Sequence, residues 1–265
     1  MKRWILLLFL VLLVGLGGQP PLVWSADSPV RFDPDRGEKL TYGFSFLWFS
    51  RFGEGSLSFG PGPEPETYLA VAEGRTLGFA SWVSRGRRQV YEVLMRRDAD
   101  GWLRPVRTRS TNIMGKGSDQ TEKFTQYDFD YAAGNVHYSR YKEGKLDAEQ
   151  DVPMPGDKPV FDLLTAFYNW RLGLLGDVKP GSFHVLPTIT KKGPTDIIIG
   201  VRTREDQQSR PEFPLTGLLT RVIVDEEVFQ TNSGSMFVWL DPQQQPGKLL
   251  IEGVLGLGDV WAVKE

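Results

Sequence analysis

Cysteine is absent from this chain of 265 residues, and histidine occurs only as His137 and His184. Without cysteine there is no disulfide framework, no thiol nucleophile and no thiolate-held zinc or iron–sulfur centre. Two histidines far apart in sequence form no metal motif, so neither a metal nor a cofactor is expected. Long apolar runs are also scarce. The longest, Trp4 to Leu16, spans 13 residues, short of the roughly 20 that cross a bilayer as a helix.

That run has the layout of an export signal. Lys2 and Arg3 precede it, Gly17 to Pro21 break it, and cleavage is placed after Ser25 or Ala26. Residues 1–26 are therefore read as a signal peptide and residues 27–265 as one domain. A periplasmic address follows. Beyond the signal, 29 basic residues face 33 acidic ones. That balance lacks the basic footprint of a nucleic-acid binder.

What is abundant is alternation. In Leu40-Thr41-Tyr42-Gly43-Phe44-Ser45-Phe46-Leu47-Trp48, every second residue is large and apolar, which puts the aromatics on one face of a strand. Further strands are expected at 55–59, 67–75, 89–97, 102–110, 123–131, 135–141, 182–188, 197–204, 218–229, 235–240, 249–254 and 260–264. Gly60-Pro61-Gly62-Pro63 reads as a turn. Short strands at hairpin spacing argue for an antiparallel sheet that curls or nearly closes. One segment has helical spacing instead: Val160, Leu163, Leu164, Phe167 and Tyr168, with Asp157 or Asp162 as N-cap and Gly173 and Gly176 closing the run. The expected fold is mainly β, a curved antiparallel sheet or open β-barrel with one principal helix packed against it.

Sites for chemistry are few. Gly117-Ser118 and Gly234-Ser235 do not complete the Gly-x-Ser-x-Gly pattern of a nucleophile elbow, and Gly115-Lys116-Gly117-Ser118 lacks the upstream glycine of a phosphate loop. Glu205-Asp206 and Asp225-Glu226-Glu227 are neighbours whose side chains alternate in a strand, so they make no ready carboxylate pair. No enzymatic role is expected. Eight arginines crowd residues 85–109 against Glu92, Asp98 and Asp100. Arg107 and Arg109 would share a strand face and suit anions, or simply form a solvated outer face. The aromatic face of Tyr42, Phe44, Phe46 and Trp48, covered by Phe167 and Tyr168 from the helix, would line a cavity for an apolar or amphiphilic ligand, or else form a filled core. Arg171 would sit at the mouth of such a pocket, or bond the last helical carbonyls.

Three stretches, in order, resemble the bacterial, largely exported domain-of-unknown-function 3108 family. They are Gly37-Glu38-Lys39-Leu40-Thr41-Tyr42, Leu103-Arg104-Pro105-Val106-Arg107, and the helix Asp162 to Arg171. Val238-Trp239-Leu240-Asp241 resembles its closing region. Thr165 stands where serine is usual. The resemblance implies a mostly β envelope protein without an established enzymatic role, and a looser analogy of fold links it to outer-membrane lipoprotein carriers. The function expected is non-catalytic binding of a lipid or other apolar ligand. The alternatives are an interaction module that offers a sheet edge to an envelope protein and, third, an envelope hydrolase.

Overall fold

The computed structural model describes residues 32–46, 49–78, 81, 84–115, 117–156, 159–176, 178–225, 234–254 and 258–265. The expected signal peptide and Trp48 lie outside them. Fourteen strands form one antiparallel sheet. They are β1 (Glu38–Phe46), β2 (Phe49–Pro61), β3 (Thr67–Thr76), β4 (Arg88–Arg97), β5 (Leu103–Met114), β6 (Thr121–Asp130), β7 (Asn135–Lys142), β8 (Lys145–Pro153), β9 (Phe183–Thr190), β10 (Gly193–Val201), β11 (Leu218–Ile223), β12 (Ser235–Leu240), β13 (Pro246–Val254) and β14 (Gly258–Lys264). The principal helix α1 (Leu163–Arg171) links β8 to β9, and a short helix α2 (Arg204–Gln208) follows β10.

The first and last strands pair at the middle of the sheet, Tyr42 opposite Lys264 and Phe46 opposite Val260. From there β1 to β8 run one way and β14 back to β9 the other. The two ends then curl towards each other: β8 approaches β10, and the Gln150 side chain donates to the Lys191 carbonyl. The result is a nearly closed barrel with a seam between β8 and β9.

Such a barrel has an interior to fill. Eight strands suffice for side chains to meet across the axis, whereas 16 to 18 leave a channel. Here α1 enters the lumen and fills one end. Seven of its nine residues are buried, and they face two walls. Ala166 and Trp170, with Phe161, pack on Ile197, Ile199, Val201 and Val238. Leu164 and Tyr168 pack on Phe59, Ala70, Val93 and Met95. The helix is thus an internal plug, not a cover laid over one face, because the strands continue around it on both sides.

Local chemistry fixes its ends. Asp162 is the N-cap and accepts from the Leu164 and Thr165 amides at 2.9 and 3.3 Å, meeting donors the first turn leaves free. Burial raises its carboxyl pKa against the pull of these bonds. Gly173 follows the C-terminus at φ 76°, a left-handed position suited to glycine. Midway, the wholly buried Asn169 accepts from the Leu103 amide at 2.9 Å and donates to the Leu103 carbonyl at 2.9 Å. One amide therefore ties the plug to the start of β5.

Several expectations change. β2 is far longer than 55–59 and runs through Gly60 and Pro61, because Gly53 and Gly55 hide its alternation. The strand expected to reach Arg204 stops at Val201, and Thr203 caps α2 with Asp206 reciprocating. β8, with Val152 its only buried residue, has no alternation that predicts a strand. The 202–217 segment covers the outer face of β11 to β14, burying Phe213 with Leu219, Phe237 and Leu250.

Replacing Asn169 with leucine should lower stability by about 2–4 kcal/mol, since the Leu103 amide and carbonyl both lose their partner in a dry core. Urea denaturation would measure it, and a change within 0.5 kcal/mol, the scatter of surface substitutions, would show that water replaces the amide.

Candidate functional site

Register assigns every strand residue to the lumen or to the outside. Lumen-facing positions are those that share a face with the plugged core: Leu40 with Leu57, Ala72 and Tyr91, and Phe59 with Ala70 and Val93. On that face lie Tyr42, Phe44 and Phe46, as the period of two predicts. Tyr42 belongs to the floor of the lumen beside the plug. Its hydroxyl donates to the Pro246 carbonyl at 2.8 Å, and burial, with Glu38 adding and Arg171 opposing, pushes its pKa far above the tyrosine range.

The floor centres on an ion pair. Arg171, at the end of α1, binds Glu38, at the start of β1, and their side chains are 4% and 9% exposed. The Tyr168 hydroxyl donates to the same Glu38 carboxylate at 3.2 Å. Phe32 lies 4.3 Å from the guanidinium carbon, and Tyr168 is sandwiched against Phe59 at 4.2 Å and Phe32 at 5.2 Å between ring centroids. Phe167 packs against both core clusters. Arg171 therefore neither opens a pocket mouth nor caps carbonyls. It is consumed in a buried pair that locks the helix to the first strand.

Above the floor the lumen changes character. Phe44 and Phe46 are half-buried and group with Phe52 at 6.3 and 5.9 Å, away from the helix. The Phe44 ring lies over Gly53, Gly55 and Gly74, and a Cβ on Gly55 would collide with it. Beside them β14 and β13 contribute Val260, Ala262 and Ile251, also half-buried, in register with Phe46, Phe44 and each other. This apolar wall is only partly covered by the plug: Ile251 packs against the cluster that holds Ala166 and Trp170 of α1, whereas Phe44, Phe46, Val260 and Ala262 lie outside the core clusters. The wall formed by β4 to β7 is polar: Gln89, Asn112, Lys123 and Lys142 face one another across four strands, with Ser110, Thr125 and Arg140 in the next row.

The arginines singled out on the 85–109 segment lie outside. Arg107 pairs with Asp128 at 2.6 Å, and Arg109 stacks 4.0 Å over Phe124. Both alternate with Thr108, which faces the core, so they share an outer face as expected but are engaged by their own neighbours. The outer face of β1 to β3 carries an open groove of about 380 Å³ lined by Lys39, Glu54, Glu73 and Arg75. Its charges serve the sheet: Arg75 pairs with Glu54, and Arg88 with Glu73 at 2.7 Å. Among the described residues no group of three or more acidic or histidine side chains is placed to hold a metal. Nor does any helix there have the length and apolarity to cross a membrane.

A model of a family of proteins of unknown function, DUF3108, matches residues 39–260. The chain belongs to the DUF3108 family. Comparison with curated proteins and with solved structures returns no match. The Glu38 and Arg171 that close the floor come from the opening strand and the helix whose motifs suggested DUF3108. Two of the stretches that carry the family resemblance thus hold the halves of a structural clasp.

Sequence reasoning brought Tyr42, Phe44, Phe46, Phe167, Tyr168 and Arg171 to one lumen but not to one site. Tyr42, Tyr168 and Arg171 are floor, and Phe44 and Phe46 are wall. It missed Glu38 as a partner, and it missed the polar wall. Cross-strand register, which decides what stands beside what, has no local signal in β4 to β7.

Removing either half of the floor pair should cost about 3–5 kcal/mol, because the other charge is left buried alone. Arg171→Met and Glu38→Leu should each show that loss in chemical denaturation, while the double variant recovers most of it. Additive losses would mean that the pair is not coupled.

Proposed function

We propose that this DUF3108 protein is a non-catalytic periplasmic binding protein whose ligand is apolar or amphiphilic and occupies the lumen above the helix. One observation carries the reading. Phe44, Phe46, Val260 and Ala262 face inward yet are only partly buried, where the same face lower in the barrel is sealed by α1. Apolar surface left accessible inside a concave wall gains about 25 cal/mol for each Å² a ligand covers. Exposed ion pairs on the outer face suit a barrel that meets water outside and keeps its apolar surface within. The leader sequence supports the address: an oxidising compartment poses no hazard to a chain without thiols.

The alternative, a sheet edge that recruits another strand, has less in its favour. The outward carbonyl of Pro187 on β9 already accepts from the Phe161 amide at 2.8 Å, proline offers no donor, and β8 is studded with Asp147, Glu149 and Asp151. These are devices that discourage pairing.

Ala262→Trp places a large ring inside the apolar wall. Binding of the apolar fluorophore N-phenyl-1-naphthylamine should weaken by about tenfold, equivalent to 1.4 kcal/mol, with the denaturation midpoint nearly unchanged. Failure of the unmodified protein to bind the fluorophore or any dodecyl amphiphile would refute the ligand reading. The address is checked by N-terminal sequencing of the protein from osmotic-shock fluid, which should begin at Ala26 or Asp27.

A further inference from the structure

We infer that the lumen selects amphiphiles with an anionic head, phosphate or carboxylate, held by the β5–β7 wall through Lys123 with Lys142 and Arg140. The inference rests on the ligand reading above and adds the chemistry of the head. Three features of the wall support it.

Register comes first. Asn112 stands opposite Lys123, and Lys123 opposite Lys142. In the next row Thr125 stands opposite Arg140. The period of two turns all of them to the lumen, since they alternate with the outward Arg109, Phe124 and Tyr141. Like charges directly opposite on adjacent strands destabilise a sheet, so Lys123 beside Lys142 is a cost that packing does not explain.

Charge comes second. Arg140 and Lys142 share one carboxylate, Asp147, with Lys142 at 2.7 Å from it. Lys123 has no acidic partner among the described residues. Three cations thus face one anion, a surplus of two at the rim of the lumen, where the Arg140 and Lys142 side chains are 41% and 48% exposed. Elsewhere around the plugged end, Glu38 meets Arg171 and Asp241 meets the lumen-side Lys264 at 2.8 Å. On the β5–β7 wall the balance is left open among the described residues.

Position comes third. In the order of 14 strands, β6 and β13 stand seven places apart, as do β7 and β14. In a nearly closed barrel those pairs are diametrically opposed. The cationic wall therefore faces the apolar wall of Ile251, Val260 and Ala262, and α1 floors the space between them. One molecule with a charged head and a hydrocarbon tail satisfies both sides.

Isothermal titration with three ligands of equal chain length, each below its micelle concentration, separates the possibilities: dodecyl phosphate, dodecyl maltoside and inorganic phosphate. Dodecyl phosphate should bind about tenfold more tightly than the maltoside, as two to three partly exposed ion pairs allow, and the gap should shrink in high salt. Lys123→Glu should abolish the preference. Asp147→Asn, which frees Arg140 and Lys142, should enlarge it, and Arg107→Gln on the outer face should leave it unchanged. Equal binding of phosphate and maltoside amphiphiles, insensitive to Lys123→Glu, would overturn the anionic head while leaving the ligand reading intact. Binding of neither amphiphile would overturn both. Inorganic phosphate binding as tightly as dodecyl phosphate would assign the wall to a free anion and remove the tail from the proposal. Lys123 and Asp147 lie at the polar end of the lumen, far from the plugged core, and unchanged thermal midpoints would confirm that the variants fold.

Discussion

A sheet of fourteen strands encloses more space than its own side chains can fill, and the fold is the answer to that constraint. A nine-residue helix is spent inside the barrel, where it gives Tyr168 and Trp170 to opposite walls. Polar groups come with it, and the main ones are met in the dry interior. Asn169 meets the β5 backbone, Arg171 meets Glu38, and Asp162 meets its own first turn. These bonds add directionality to what would otherwise be a greasy plug free to rotate. They also explain why the helix is both apolar and rich in hydrogen-bonding residues.

The plug reaches one end only, and that asymmetry divides the lumen. Below, inward residues are sealed. Above, the same strands continue with Phe44, Val260 and Ala262 on one side and Asn112, Lys123 and Arg140 on the other. The division follows from the length of the strands against that of the helix, since nine residues of α-helix rise about 13 Å and ten of strand about 33 Å. Glycines at 53, 55 and 74 let Phe44 lie flat against the wall, so bulk is kept out of the upper lumen instead of being directed into it.

The readable parts of the sequence were those with a local period. Most strands, the helix with its Asp162 cap and the aromatic face of β1 all follow from spacing. β8 did not, because an edge strand with Val152 as its only buried residue shows no alternation between apolar and polar. β2 was truncated because Gly53 and Gly55 stand where large residues would mark the inner face. The capping box of Thr203 and Asp206 was present in the sequence as a helix start, and the apolar run before it obscured the boundary.

Side-chain identity and local spacing determined the class of fold, the principal helix and the inward turn of Tyr42, Phe44 and Phe46. Tertiary structure alone decided that the helix lies within the barrel and that Arg171 is answered by Glu38, 133 positions away. It decided too that Arg107 and Arg109 look outward while Lys123 and Arg140 look in. Alternation tells which residues share a face. Only closure of the sheet tells which face becomes the inside, and only register tells which charges meet there.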